Sequence, residues 1–283
     1  MKAPLFLYNK KLKAVVGILL ALFILDVGSA FVYPDVPRYK KYNPPASKMM
    51  EYVEKQMKAE GKEIHIKRKW VPFSRISPYA VKAVLIAEDD KFWHHSGFDI
   101  EGMETALEKD IEKHRLKAGG STITQQLAKN LFLSPSRNPV RKIKEAVLAW
   151  RMERALSKRR ILELYMNYAE WGPGIFGIEA ASRHYYGIPA SALNAEQAAK
   201  LATVLPNPNI YSPVKPDRYV QRRSAIIYKV MVKRGIVIPD FEEAMNPEKE
   251  ETPKKEHPFS GETTSAAKPE KNGPSFFLNF TAK

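Results

Sequence analysis

The 283-residue chain contains no cysteine. Disulfides, cysteine-ligated zinc, iron–sulfur clusters and thiol nucleophiles are excluded together, although a chain without cysteine suits either redox compartment. Negative charge is also short, with 31 Asp and Glu against 46 Lys and Arg, a net of +15. An excess of that size calls for a polyanionic partner. No internal repeat of roughly 20–50 residues is visible, which excludes a solenoid or propeller. What is present is a globular composition. Apolar residues at 44% and aromatics at 11% exclude a disordered or fibrous protein, and the length allows one or two domains with a sizeable core.

The charge is unevenly spread. Met1–Tyr33 has four lysines against Asp26, and Asp240–Lys283 has six lysines against nine acids, so Pro34–Pro239 carries the whole +15. The basic partner site belongs to that middle segment. Ahead of it, Ala14–Tyr33 (AVVGILLALFILDVGSAFVY) is apolar for 20 residues except Asp26, Ser29 and the glycines. That is close to the length needed to cross a hydrocarbon core of about 30 Å. It reads as a transmembrane helix over 14–33. Gly28-Ser29-Ala30 also resembles a signal-peptide cleavage site, but the apolar run resumes with Phe31-Val32-Tyr33, where a secreted protein would turn polar. Asp26 is costly in lipid and calls for the outer interface or a partner.

Lys2, Lys10, Lys11 and Lys13 precede the span. By the positive-inside rule residues 1–13 are cytoplasmic and 34–239 lie on the outer side of the cytoplasmic (inner) membrane, a placement that works against nucleic acid as the polyanion. From Lys249 to Ser275 the sequence turns to Pro, Lys, Glu, Ser and Thr, and 240–283 reads as a disordered tail. Phe276-Phe277-Leu278 and Phe280 near its end fit a frayed terminus or a short docking segment.

Between anchor and tail the fold class is mainly α. Ser77-Pro78 is a start signal for a helix over Ala80–Ala87, and Asp99–Lys117 is a charged amphipathic stretch ended by Gly119-Gly120. Helices are also predicted over Ser121–Leu133, Pro139–Leu156, Arg159–Tyr168, Ala192–Leu205 and Asp217–Arg234. Only Glu63–Val71 alternates like a strand.

Four segments could carry chemistry. Glu88 closes Ala80-Val-Lys-Ala-Val-Leu-Ile-Ala-Glu88, where Val81, Val84 and Leu85 lie seven, four and three residues before it, on the same helical face. Desolvation there would raise the carboxyl pKa and suit a general acid or base; a carboxylate solvated at the helix rim is the plainer reading. Asp89 could orient Glu88 or a cation, and Phe92, His95 and Gly97 follow. The second segment is Gly119-Gly-Ser-Thr-Ile-Thr-Gln-Gln-Leu-Ala-Lys-Asn130. Ser121 or Thr122 can cap a new helix whose N-terminus favours an anion such as phosphate. Thr122, Gln126, Lys129 and Asn130 make a polar stripe fit either for diphosphate and sugar hydroxyls or for plain solvent. The third, Arg141-Lys142-Ile-Lys144-Glu145, offers an ordinary i,i+4 ion pair or a diphosphate site with a second carboxylate. The fourth, Arg160 to Gly177, holds Glu163, Tyr165, Asn167 and glycines at 172, 174 and 177 that permit sharp turns. No strand precedes them, so this is not a dinucleotide fingerprint.

Taken in order, these segments resemble the glycosyltransferase family that polymerises peptidoglycan. Glu88-Asp89-x-x-Phe92-x-x-His95-x-Gly97 matches its first motif. Gly119 to Asn130, with Gln125 and Gln126, matches the second throughout. Arg141-Lys142-x-x-Glu145 matches the third. Ile161-Leu162-Glu163-x-Tyr165-x-Asn167 with Gly172 and Gly177 matches the fourth, with Met166 where Leu is usual. Ala180-Ala181 through Tyr186 to Glu196 and Pro206 fits a fifth, and the likeness covers roughly Pro72 to Pro213.

The resemblance implies a lysozyme-like glycosyltransferase domain with a smaller membrane-proximal jaw. It is expected to be monofunctional, since no transpeptidase domain fits after Pro239. It implies lipid II and an undecaprenyl-diphosphate-linked glycan as substrates, with membrane lipids around them. Partners among penicillin-binding and cell-division or elongation proteins are expected, and nucleic acid is not. Glu88 and Glu145 are the expected catalytic residues. Asp89, Phe92, His95, Ser121, Thr122, Gln125, Gln126, Lys129, Asn130, Arg141 and Lys142 are the expected substrate-binding ones, and a divalent cation (Mg or Mn) at Glu145 is the candidate cofactor. Leu131-Phe-Leu133 with the Pro135–Pro139 loop is expected to border the acceptor or lipid entrance. A lysozyme-like hydrolase or lytic transglycosylase, and a non-catalytic tethered recruitment protein, are the rival readings.

Overall fold

The computed structural model describes residues 10–61, 63, 65–105, 120–135 and 138–238. The expectations for 1–9, for the glycine-ended stretch over 106–119 and for the tail at 240–283 lie outside the described residues. Nine labelled helices follow in chain order: α1 Lys10–Val32, α2 Lys48–Ala59, α3 Pro78–Glu88, α4 Ile123–Phe132, α5 Pro139–Ala155, α6 Lys158–Tyr168, α7 Ile178–Tyr186, α8 Ala195–Val204 and α9 Arg218–Lys233. A further helical stretch covers 100–105.

Local sequence explains where these helices begin. Ser77, Asn138, Ser157 and Asp217 each accept a first-turn N–H with the side chain, and Thr122 and Asn194 complete capping boxes with Gln125 and Gln197. Pro78 and Pro139 occupy the first turn, where a missing N–H costs nothing.

Two helical groups share one core. In the first, α3, α8 and α9 pack on one another; in the second, α4 lies against α2, α5 and α6. Trp171, Tyr165, Tyr168, Phe92 and Phe176 are its largest fully buried side chains. The second group is tied to the segment before α3 by the fourth motif. Asn167, wholly buried, donates to the carbonyls of Val71 and Glu163 and accepts from Val71 N at 2.9 Å. Glu163 accepts from Phe73 N at 2.8 Å, and Arg160 reaches the carbonyls of Tyr39 and Tyr42. The motif residues Glu163 and Asn167 are therefore staples of the scaffold.

The strand expected over Glu63–Val71 is corrected: among the described residues only Lys67–Arg68 (β1) pairs as strand. It runs parallel to β3 (Ile175–Phe176), which is antiparallel to β2 (Glu170–Gly172), in the order β1-β3-β2. A ladder is no longer than its partner, and β3 has two residues. β3 passes into α7 at Gly177, whose φ of 87° and whose close approach to the Asn167 carbonyl leave no room for a Cβ.

α1 is long and apolar enough to cross a membrane and stands largely unburied, as a membrane anchor does. Its C-terminal end leans on α5.

Candidate active site

Glu88 is the last residue of α3, facing α4 across the join between the two helical groups. Gln126 of α4 donates from Nε2 to Glu88 Oε2 at 2.8 Å, and Tyr165 of α6 donates its hydroxyl to Gln126 Oε1 at 3.0 Å. Gln126 is thus held at both ends of its amide, which sets which end faces the carboxylate. The other carboxylate oxygen, Oε1, is buried and has no hydrogen-bond partner among the described residues. Burial pushes the Glu88 carboxyl above its ordinary value, against the pull of the Gln126 bond and of the Arg223 and Lys129 charges, with Asp89 adding to the rise. Burial likewise pushes the Tyr165 hydroxyl well up, so it remains a donor.

A cation cluster stands on α4 and α5. Glu145 is 3% exposed. Arg141 Nη1 donates to its Oε2 at 3.0 Å, and Lys142 Nζ bonds to its Oε1 and to Ser121 Oγ. The Lys129 side chain has no hydrogen bond or ion pair among the described residues. Burial holds its ammonium below the ordinary lysine value; Glu145 pulls it back up, while Arg141 and Lys142 push it down. One buried carboxylate therefore holds two cations, and the charge of Lys129 lies near enough to feel all three. The i,i+4 pair Arg141–Glu145 is real, and so is the cluster around it.

A cleft of about 180 Å³ opens beside Glu88, its walls including Asp89, Asp99, Gly120, Ser121 and Thr122. A second cavity of about 360 Å³ lies at the foot of the anchor, where Leu131, Phe132 and Leu133 meet Ala30, Tyr33 and Tyr39.

Several of the expected substrate-binding residues are buried and bonded to other parts of the chain. Phe92 has no exposed surface and meets His95 and the exposed Trp93 edge-on. Gln125 spends its side-chain oxygen on Thr122 N in the capping box, and Thr122 Oγ1 donates to the Gly97 carbonyl at 2.7 Å. Asp89 uses both oxygens, accepting from Ile123 N at 2.9 Å and meeting His95 Nε2 at 2.8 Å. Because Gly97 N donates to His95 Nδ1, the ring proton sits on Nε2 and points at Asp89. At the α4 N-terminus the carboxylate of Asp89 takes the place that favours an anion. Together these residues lock α3 to α4 and so fix where Gln126 meets Glu88.

Ser121 reaches the cluster through Lys142, and the Asn130 side chain makes no hydrogen bond among the described residues. Glu145 does not fit a divalent cation. Its two oxygens are taken by Arg141 and Lys142, and among the described residues no group of three His, Asp or Glu side chains comes together to hold a metal.

Two residues are added by the structure. Tyr165 lies within the fourth motif, but nothing local says that it holds Gln126. Arg223 of α9 lies outside every motif. It donates from Nη2 to the Ala87 carbonyl at 2.9 Å, capping α3 beside Glu88.

A family model described as transglycosylase matches residues 54–232. The biosynthetic peptidoglycan transglycosylase of Laribacter hongkongensis is 45% identical over 216 residues, covering 76% of this chain and 94% of the relative. That of Methylobacillus flagellatus is 44% identical over 211 residues, 75% of this chain and 92% of the relative. That of Aromatoleum aromaticum is 48% identical over 194 residues, 69% and 84% of the two chains. With Glu88, Gln126 and the cation cluster inside the matched segment, the chain belongs to the transglycosylase family.

Proposed function

We propose that this protein is a peptidoglycan glycosyltransferase that polymerises lipid II into β-1,4-linked glycan strands and releases undecaprenyl diphosphate. The observation that carries the reading is the pairing of an oriented, partly desolvated carboxylate with a separate cluster of cations. Glu88 keeps one oxygen without a protein partner while Gln126 holds the other; Lys129, Arg141 and Lys142 converge around buried Glu145. A hydrolase acting on finished glycan has no diphosphate for such a cluster to hold.

In this reading the acceptor's GlcNAc 4-hydroxyl attacks C1 of the donor's terminal MurNAc. Glu88 takes the hydroxyl proton as the new C–O bond forms. The C1–O bond to the lipid diphosphate breaks with inversion, and the bonding pair leaves on the diphosphate. That charge develops beside Lys129, Arg141 and Lys142, which stabilise it in the transition state. Glu145 keeps two of those cations aimed and keeps Lys129 charged. Burial makes Glu88 a stronger base than a solvated carboxylate, at the cost of losing its ionised form at a higher pH.

The anchor is supported as the means of holding the enzyme to the lipid-borne substrate. We place it in the cytoplasmic membrane with the N-terminus inside, on the strength of the lysines that precede the span. The product strand still needs crosslinking, so penicillin-binding and cell-division or elongation proteins are the expected partners.

Incubating purified full-length protein with labelled lipid II tests the proposal. Polymer supports it. Shortening of preformed glycan without polymer from lipid II overturns it.

A further inference from the structure

The chemistry above leaves the seam between α1 and α5 unused, yet that seam is built from charged groups. Lys144 Nζ lies 2.7 Å from Asp26 Oδ1. Arg151 donates to three carbonyls at the end of the anchor: Ala30 at 2.8 Å, Val32 at 3.0 Å and Pro34 at 2.7 Å. Phe31 meets Trp150 edge to face, with ring centroids 6.4 Å apart.

Each contact has a local cause. A helix leaves its last four carbonyls without intrahelical donors, and Pro34 has no N–H to return to Ala30. Arg151 supplies donors there, and its charge suits the negative end of the helix dipole. Unpaired carbonyls beside lipid are costly, and so is a carboxylate in an apolar span. Lys144 answers the second problem as Arg151 answers the first.

The order of the contacts carries the inference. Asp26 meets Lys144, and the later residues Ala30 to Pro34 meet the later Arg151, so the two helices run in the same sense along the seam. Lys144 is the immediate neighbour of Glu145. The carboxylate that gathers the cations therefore lies level with Asp26, near the outer end of the anchor.

We propose that Lys144 and Arg151 form a latch that fixes the membrane anchor to α5 and sets the Lys129–Arg141–Lys142 cluster at the height where a membrane-borne diphosphate is presented. They are positioning residues, and the proposal rests on the polymerase reading given above. A site on an untethered domain samples every height and tilt; the latch removes that freedom for a substrate whose diphosphate is itself held at the membrane surface.

The test compares one full-length enzyme on two substrates: long-chain lipid II in phospholipid vesicles, and a short-chain, water-soluble lipid II analogue. Lys144→Asp and Asp26→Lys are each expected to lower kcat/KM on the vesicle substrate about tenfold or more, with the soluble analogue changed by less than about twofold. The double variant, with the pair reversed, restores the vesicle rate. Arg151→Gln is expected to repeat the substrate-selective loss, with folding followed by its thermal midpoint. Equal loss on both substrates, no loss on either, or a double variant that fails to recover overturns the latch. A wild-type enzyme that polymerises neither substrate would instead refute the polymerase reading and leave the structural seam untouched.

Discussion

Glu145→Gln isolates the role of the buried carboxylate, because the amide keeps its shape and removes its charge. Arg141 is 24% exposed at the side chain and Lys142 is 52% exposed, so the two bonds to Glu145 are not equal. A charge-assisted bond such as that of Arg141 contributes about 1.5–3 kcal/mol. The half-exposed Lys142 bond is screened and contributes roughly 0–1 kcal/mol. Truncating a fully buried ion pair costs about 3–5 kcal/mol, but here both cations can turn toward water. The expected loss of stability is therefore about 2 kcal/mol, or roughly 4–8 °C in Tm for a domain of this size.

The kinetic signature is more specific than the thermal one. Glu145 is the largest influence raising the Lys129 pKa against burial. Without it Lys129 loses its proton at a lower pH, so the alkaline limb of the kcat profile should move to lower pH. With the cations no longer aimed, kcat should fall roughly 10- to 100-fold. Thermal unfolding by circular dichroism and lipid II polymerisation across the alkaline range measure both effects. A variant with wild-type Tm and an unmoved alkaline limb would refute the gathering role assigned to Glu145.

Glu88→Gln is expected to lower the polymerisation rate about 10²- to 10⁴-fold while lipid II still binds in a pull-down on vesicles; wild-type turnover would end the general-base assignment. The same variant should be no less stable than wild type at neutral pH. The Glu88 pKa is raised, so its ionisation opposes folding once the pH passes the unfolded value, and the amide avoids that cost. Arg223→Ala removes a charge that lowers the Glu88 pKa. The acid limb of the rate profile should move to higher pH, whereas Arg223→Lys should leave it nearer to wild type; an unmoved limb in the alanine variant counts against the capping arginine. Gly177→Ala places a Cβ 2.9 Å from the Asn167 carbonyl at φ 87°. It should destabilise the fold by about 1–3 kcal/mol from backbone strain alone, read as a lower urea midpoint, and an unchanged midpoint would show that the β3–α7 junction relaxes freely.

Sequence and structure divide the protein along lines set by the range of the interactions. Caps and helix interiors are local, so Ser77-Pro78, Asn138-Pro139 and the Thr122–Gln125 box mark helix starts that the structure keeps within a few residues. The short strands are not local. β1 pairs with β3 from more than 100 residues away, and the alternation in Glu63–Val71 cannot tell how much of itself will find a partner. α7 was legible only as part of a motif, because the glycine before it and the buried alanines within it read as loop and spacer until they are packed.

The amino-acid order by itself determined the anchor, the basic middle, the helical class and the residue types needed for a base and a diphosphate site. These follow from runs, periodicity and charge, which need no partner from elsewhere in the chain. Only the tertiary structure decided how the motif residues divide the work. Burial turned Phe92, Asp89, His95, Thr122 and Gln125 inward as scaffold, and left Glu88 with one uncommitted oxygen. It also brought Tyr165 and Arg223 to that carboxylate and Arg151 to the end of the anchor. The physical reason is that a polar side chain acquires its role from what desolvates it and what it bonds, and both are set by segments far away in the chain.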